Sequence, residues 1–339
     1  MTPFAQELAA LERNLFNEPM ITLQHCRRLL ARLRQNDDAE GQIRAAILLG
    51  LIEDQLGQQV GARAELLEAL ATCRRHHLLT LEPAIHERLG REFYTAGEYV
   101  PALRHWSFTL ELGASVALSD ELRCMSYIGL GHCCSAFGQT RLASRFHRAA
   151  MALAMPLGNI YLHSKAAISL GWTLRELGNS AEARSILQDA LTECRTHDFR
   201  FFQPEILLRL AEIELEHGRQ DEAENLAEEG LSLLVFTPSH WCEANLLGLL
   251  ADLYARHEQL TLALDLIQRA LRIVAEDRMT HVEARLCRQA AHYCAQLGEP
   301  VQAAAYRERV ISLQSSNARH WQAPGELLAQ LPGFLPPGA

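Results

Sequence analysis

Histidine and cysteine, the side chains that most often ligate zinc, cluster at two places in the sequence: His132-Cys133-Cys134, and Cys287 with His292 and Cys294. Both places lie in segments with helical periodicity, where consecutive residues point about 100° apart. His132 and Cys133 therefore cannot close on one ion, and His292 and Cys294 fail similarly. We predict buried thiols at both places, with no metal and no cofactor.

Known catalytic motifs are missing from the sequence. It contains no Gly-rich phosphate loop, no His-Glu-x-x-His pair and no Gly-x-Ser-x-Gly elbow. Carboxylates do occur side by side, as Glu53-Asp54 and Glu228-Glu229, but adjacent residues of a helix diverge. We expect both pairs to lie on the solvated surface, and we predict that the protein is not an enzyme.

The composition argues against several classes of protein. The 339 residues carry 41 Asp and Glu against 32 Lys and Arg, and this net charge of −9 disfavours direct nucleic-acid binding because it repels phosphates. No stretch approaches the roughly 20 apolar residues that span a bilayer, and the N-terminus lacks the basic and apolar regions of a secretory signal. Nine scattered cysteines fit reduced thiols. We therefore expect a cytoplasmic protein with no membrane contact.

A repeat of 40 residues organises the chain. Turn residues recur at spacings of 40, 41, 40, 40, 40 and 40: Gly57, Gly97, Gly138, Gly178, Gly218, Glu258 and Gly298. Five residues after each turn comes an alanine: Ala62, Ala102, Ala143, Ala183, Ala223, Ala263 and Ala303. Seven residues before each turn comes a glycine or an alanine, and eight before usually comes a leucine. Asn17, 40 residues before Gly57, extends the pattern to an eighth unit.

Each unit predicts a pair of antiparallel helices. A small residue on each helix lets the two approach toward the lower end of the roughly 8–10 Å range, and glycine at the turn takes the left-handed conformation that ends the first helix. Glu258 replaces this glycine, so we expect strain or a different loop there.

The predicted organisation is one repeat domain over residues 1–320 and a tail. The helix pairs are predicted at residues 4–35, 39–76, 82–113, 120–156, 160–197, 203–234, 239–276 and 280–315. Residues 321–339, which are rich in Pro and Gly, form a C-terminal tail or cap. We expect this tail to cover the last helix pair, with one short helix.

The Leu-Gly pair before the turn and the Ala after it resemble the tetratricopeptide repeat. Four units carry both features: Leu49-Gly50 with Ala62, Leu89-Gly90 with Ala102, Leu130-Gly131 with Ala143, and Leu170-Gly171 with Ala183. The resemblance covers nearly the whole chain, but the period is 40 rather than 34 and the family's closing proline is absent. The longer repeats look like those of bacterial signalling and regulatory members. The resemblance implies an all-α fold, a right-handed α-α superhelix of about eight helix-turn-helix repeats.

The resemblance also implies a peptide-binding groove on the inner face of the first helices, about 13, 6 and 3 residues before each turn. Register places these candidates there: Arg91, Tyr94, His132, Lys165, Trp172, Arg175, Glu212 and Asp252. Burying unpaired charges is costly, so we expect solvent to line this row. Arg, Trp and Tyr are enriched where partners bind, and Arg can hold a carboxylate through two hydrogen bonds. An ordinary solvated helix face is the alternative.

Two functions fit this pattern. The first is a non-enzymatic scaffold or sensory module of bacterial signalling or regulation, whose groove binds another protein or an acidic or C-terminal peptide segment. The second is a receptor for a small signalling ligand or peptide pheromone that changes the curvature of the array. The protein could also form a homodimer through residues 300–339, which the sequence does not decide.

Overall fold

A computed structural model gives the fold and describes residues 3–16, 18–56, 62–277, 279–317 and 324–336. In these ranges the chain forms helices in succession: Pro3–Asn14 (α1), Pro19–Gln35 (α2), Ala39–Leu56 (α3), Ala62–Arg75 (α4), Glu82–Thr95 (α5), Tyr99–Leu112 (α6), Asp120–Ala136 (α7), Thr140–Leu157 (α8), Ile160–Glu176 (α9), Ser180–Thr196 (α10), Gln203–Glu216 (α11), Gln220–Leu233 (α12), His240–Arg256 (α13), Leu260–Glu276 (α14), Thr280–Gln296 (α15), Pro300–Asn317 (α16) and Gly325–Gln330 (α17). The predicted all-α class and the succession of about eight helix pairs are confirmed.

The chain divides into two compact units. Unit 1 comprises residues 1–169 and 323–339, and unit 2 comprises residues 170–322, so the boundary falls inside α9. In each unit the packing is sequential: a first helix packs on the second helix of its own pair, and that second helix packs on the first helix of the next pair.

The small residues of the repeat lie where the two helices of a pair meet. The alanine five residues after each turn is fully buried from Ala62 to Ala263, and Ala303 is 1% exposed. A Cβ atom added to Gly131 would lie 2.2 Å from Nε2 of His147 on α8, and one added to Gly171 would lie 2.8 Å from Cγ of Leu187 on α10. Any larger side chain at these glycines would push the paired helices apart.

The turns inside the pairs use the left-handed backbone conformation. Gly97, Gly138, Gly178, Gly218 and Gly298 have φ between 73° and 80°. Glu258 adopts the same conformation, with φ 61°. The loop at Glu258 therefore has the same conformation as the glycine turns. A residue with a side chain is destabilised by roughly 1–2 kcal/mol in this left-handed region. The turns expected at Asn17 and Gly57 lie outside the described residues.

Two predicted helix starts are capped by serine side chains. The Ser119 hydroxyl accepts a hydrogen bond from the Leu122 amide, and the Ser239 hydroxyl accepts one from the Cys242 amide, at 3.2 and 3.3 Å. These bonds satisfy amides that have no partner within the first turn of α7 and α13.

The described part of the C-terminal segment, residues 324–336, packs within unit 1, whereas the expected position was on the last helix pair. A 3-10 helix, Leu331–Phe334, follows α17 and contacts α6. The Tyr127 hydroxyl on α7 donates a hydrogen bond of 2.8 Å to the carbonyl of Phe334. Leu331 is fully buried and Leu335 is 9% exposed, so burial of leucine side chains anchors the segment.

All nine cysteines are buried, and none forms a disulfide. Burial raises the pKa of Cys134 to about 12, which leaves its thiol protonated and unreactive at neutral pH. Among the described helices, none has the length and apolar character needed to cross a lipid bilayer.

Candidate functional site

The predicted site residues lie on the first helices of both units. Unit 1 holds Arg91 (α5), Tyr94 (α5), His132 (α7) and Lys165 (α9), and unit 2 holds Trp172 (α9), Arg175 (α9), Glu212 (α11) and Asp252 (α13). We call the positions 13, 6 and 3 residues before each turn, with the side chains they contact, the first-helix face of each unit.

The charges on the first-helix face of unit 1 contact one another. Arg91 Nε lies 2.8 Å from Oδ1 of Asp54 on α3, and Lys165 Nζ lies 3.9 Å from Oδ2 of the same carboxylate. The Lys165 ammonium also donates a hydrogen bond of 3.0 Å to the Tyr161 hydroxyl. Asp54 therefore connects α3 to α5 and to α9, three pairs further along the chain.

The Asp54 carboxylate and the Arg91 guanidinium of this cluster are largely shielded from solvent and stay ionised. The side chains of Asp54 and Lys165 are 7% and 8% exposed. Burial raises the pKa of Asp54, but Arg91 and Lys165 outweigh it, so the pKa lies below its ordinary value. Burial alone would lower the pKa of Arg91, but the Asp54 carboxylate raises it by more, so the pKa lies above its ordinary value.

The expectation that solvent lines the charged row is therefore wrong in unit 1. It rested on the cost of burying an unpaired charge, but here opposite charges come together from different repeats. A second expectation, that the adjacent Glu53 lies on the solvated surface, is also wrong. Glu53 is 1% exposed rather than solvated, because it pairs with Arg27 at 2.9 Å and accepts a hydrogen bond of 2.8 Å from the Ala62 amide.

The remaining candidates of unit 1 are aromatic. Tyr94 and His132 stack with ring centroids 5.4 Å apart, and His132 Nε2 lies 3.0 Å from the Ser169 hydroxyl. The His147 ring packs edge-on against His132 at 5.2 Å. Burial lowers the pKa of His147 to about 4, so this ring is neutral at physiological pH.

In unit 2, Arg175 and Glu212 form an ion pair between α9 and α11. Arg209 approaches the same carboxylate at 3.1 Å, and its guanidinium lies 5.1 Å from the ring centroid of Trp241 on α13. The side chains of Arg175 and Arg209 are each 14% exposed, and that of Glu212 is 19% exposed. Trp172 is half-buried on the same stretch of α9.

Asp252 lies one pair further along and accepts a hydrogen bond from the Tyr293 hydroxyl of α15. The two helices make a second contact, in which Arg285 Nη2 donates to the Asn245 side-chain oxygen at 2.6 Å. Burial lowers the pKa of Arg285, although the group stays protonated at any physiological pH.

One spacing connects these contacts. Asp54 with Arg91, Tyr94 with His132, and Arg175 with Glu212 are each a residue three before one turn and a residue six before the next. Sequence reasoning placed these positions on one face but did not pair them. It missed further residues on this face, among them Tyr161, Arg209, Trp241 and Tyr293. A search for complementary side chains about 37 residues apart would have found the three pairs.

Comparison with known proteins gives structural matches only. No protein-family model matches the sequence, and no curated protein matches it. A solved structure of a Rap protein complexed with competence and sporulation factor is 12% identical with a TM-score of 0.66, and the match covers 94% of this chain and 100% of that one. The Rap conjugation gene regulator of plasmid pLS20, in complex with the Phr* peptide, is 13% identical with a TM-score of 0.65, over 95% and 97%.

A third match comes from the APC/C hetero-tetramer Cut9–Hcn1, at 15% identity and a TM-score of 0.63. It covers 91% of this chain but 53% of the other, so the present chain spans about half the length of that relative. At these identities the likeness concerns the fold. Together with the helix pairs of both units, it shows that the chain has the fold of the tetratricopeptide-repeat proteins.

Proposed function

We propose that the protein is a non-enzymatic module that binds a peptide, or an extended segment of a partner protein, through its first-helix face in unit 2. The observation that carries this proposal is spare hydrogen-bonding capacity on that face. Arg209 Nε and Gln289 Oε1 are buried and have no hydrogen-bond partner among the described residues. Both residues stand nine positions before a turn, on the first helices α11 and α15, with α13 between them in the chain. Buried polar atoms are rarely left without a partner, and a peptide backbone supplies both donors and acceptors.

The side chains around these atoms suit a peptide. Trp241 presents an aromatic surface under the Arg209 guanidinium, and Trp, Tyr and Arg dominate the binding energy of protein interfaces. Arg175 and Arg209 already converge on the Glu212 carboxylate. An acidic side chain or C-terminal carboxylate of the ligand would compete with Glu212 for the same two guanidinium groups.

Two matched structures hold a bound ligand, and one of these ligands is a peptide. One is a Rap regulator in complex with the Phr* peptide, and the other is a Rap protein complexed with competence and sporulation factor. By analogy with these, we place the protein in bacterial signalling or regulation.

Site-specific photocrosslinking in cells tests the proposal. A photoreactive amino acid replaces Trp172 on the first-helix face, and in a matched control it replaces Asp189, which is exposed on α10. We expect a discrete crosslinked peptide or protein at position 172, identified by mass spectrometry, and its loss when Arg175 and Arg209 are replaced by Ala. The same products at both positions, or products that survive the two arginine substitutions, would contradict the proposal.

A second function, favoured by the same two matched complexes, is a receptor whose conformation changes when a small signalling ligand or peptide pheromone binds. The ligand identified by crosslinking separates the two. A receptor would change its radius of gyration in solution X-ray scattering when the ligand is added, whereas a scaffold would keep the radius of its ligand-free state.

A further inference from the structure

The side of α15 and α16 that follows the last repeat holds an open cavity of about 390 Å³. Its lining combines arginine, histidine and aliphatic side chains: Arg288, Ala291, His292, Arg307, Val310 and Ile311. We call this the end surface. Within the described ranges, α15 is the helix that packs along α16.

Register shows what covers the equivalent surface of earlier pairs. The residue nine after the turn is buried in every earlier unit with a described second helix: Cys26, Leu66, Trp106, His147, Leu187, Ala227 and Ile267. The residue ten before the turn is buried in the third to the seventh units, as Glu87, Ile128, Ile168, Leu208 and Gly248, whereas Ile47 of the second unit is half-buried. In the last pair these two positions are Arg307 and Arg288, and both are exposed.

In the earlier pairs the first helix of the next pair contributes to this cover, together with the first helix of the same pair. A Cβ atom added to Gly129 on α7 would lie 2.1 Å from Trp106 on α6. A Cβ atom added to Gly230 on α12 would lie 3.1 Å from Leu246 on α13. The end surface therefore has the register positions that elsewhere contact a following helix, but with exposed arginines where most earlier pairs have buried residues.

The charge of the end surface contrasts with the rest of unit 2. There, arginines such as Arg184, Arg195 and Arg309 are paired with carboxylates. Neither Arg288 nor Arg307 has an ion-pair partner among the described side chains. Two uncompensated guanidinium groups beside aliphatic side chains, in a chain of net charge −9, form a local site for an anionic, partly apolar ligand.

The chain itself shows how an acidic helix fits such a surface. Arg184 Nε on α10, the second helix of its pair, lies 2.7 Å from a carboxylate oxygen of Glu214 on α11, the first helix of the next pair. We propose that the end surface binds an acidic amphipathic helix of a partner protein, seated as the first helix of a following repeat would be. Val310 and Ile311 contact its apolar side, and Arg288 and Arg307 pair with its carboxylates.

The probe is a fluorescein-labelled peptide with the sequence of α11, QPEILLRLAEIELE, which carries four glutamates and one arginine. Fluorescence anisotropy measures its binding to the full-length protein. We expect saturable binding, weakened at least tenfold when the four glutamates are replaced by glutamine. The protein variant R288E/R307E should weaken binding by at least the same factor and regain it with a peptide that carries lysine at the four positions. Both arginines are exposed, so circular dichroism should show an unchanged fold.

The matched control is Arg272→Glu, a charge reversal at an exposed position of α14, which should leave the affinity within twofold. No binding up to millimolar peptide, equal binding of the glutamine peptide, or equal binding to R288E/R307E would each overturn the proposal. Sedimentation of the unliganded protein tests another occupant. A dimer that R288E/R307E dissociates, together with no peptide binding, would assign the end surface to a second copy of this chain.

Discussion

Glu92 on α5 lies beside the buried charges of unit 1 and is 5% exposed. Burial raises its pKa to about 7, and the nearby carboxylates Asp54 and Glu53 add to the increase. The folded protein therefore keeps this proton at a pH where the unfolded chain, with an ordinary pKa of 4.5, has released it. We predict that Glu92→Gln, which resembles the protonated form, stabilises the protein at high pH.

The sign and size follow from proton linkage. Between pH 4.5 and 7 the folded state binds more protons at Glu92 than the unfolded state, so this residue makes stability fall as the pH rises. The difference between about 7 and 4.5 corresponds to about 3 kcal/mol, at roughly 1.4 kcal/mol per pH unit. The variant should match the wild type near pH 4 and exceed its free energy of unfolding by about 3 kcal/mol at pH 8.

Urea unfolding followed by circular dichroism at pH 4, 5, 6, 7 and 8 measures this difference. Glu111→Gln, at an exposed position of α6, is the control and should change stability by less than about 0.5 kcal/mol at every pH. A difference between variant and wild type that is the same at pH 4 and pH 8, or a variant that is less stable at pH 8, would refute the reasoning.

Three further predictions concern single contacts. Glu258→Gly should raise the free energy of unfolding by about 0.5–1 kcal/mol, because relief of the left-handed backbone outweighs the added freedom of the unfolded chain; an unchanged or lower thermal midpoint would contradict it. Asp54→Asn should lower the free energy of unfolding by about 3–5 kcal/mol in urea, because it leaves Arg91 and Lys165 buried without their carboxylate; a loss below about 1 kcal/mol would show that the pairing contributes little. Tyr127→Phe should cost about 0.5–1.5 kcal/mol and speed amide hydrogen exchange in residues 325–335, whereas unchanged exchange there would show that the hydrogen bond to Phe334 does not hold the segment.

The repeating part of the fold could be predicted because its determinants recur in the sequence. Small residues at fixed distances from each turn, such as Gly131 and Ala143, mark where the helices of a pair meet. Even the exceptional turn at Glu258 was visible as a break in the pattern. The pattern did not show whether this turn would be strained or would form a different loop. The place of the C-terminal segment was not predictable in this way, because the contact of Tyr127 with Phe334 joins residues 207 positions apart and has no counterpart in other repeats.

The site was predicted less completely than the fold. Register placed residues such as Arg91 and Lys165 on the first helices, but it did not show which charges neutralise one another. The cost of burying a charge depends on its partner, and the partner of Arg91 is Asp54, in the preceding repeat. The cavity between α15 and α16 was missed for a different reason: Arg307 stands out only when it is compared with the buried residues at the same register of the earlier pairs.

Unit 1 is built from two separate stretches of chain, and this has a consequence for biosynthesis. Residues 1–169 leave the ribosome well before residues 323–339 that complete the unit. Leu331 follows the end of α7 at Ala136 by 195 residues, so at roughly 5–20 residues per second the surface that receives Leu331 and Leu335 waits about 10–40 s for its cover. During translation this leucine-binding surface on α6 and α7 is accessible to chaperones, and a nascent chain that stalls within unit 2 exposes it for longer.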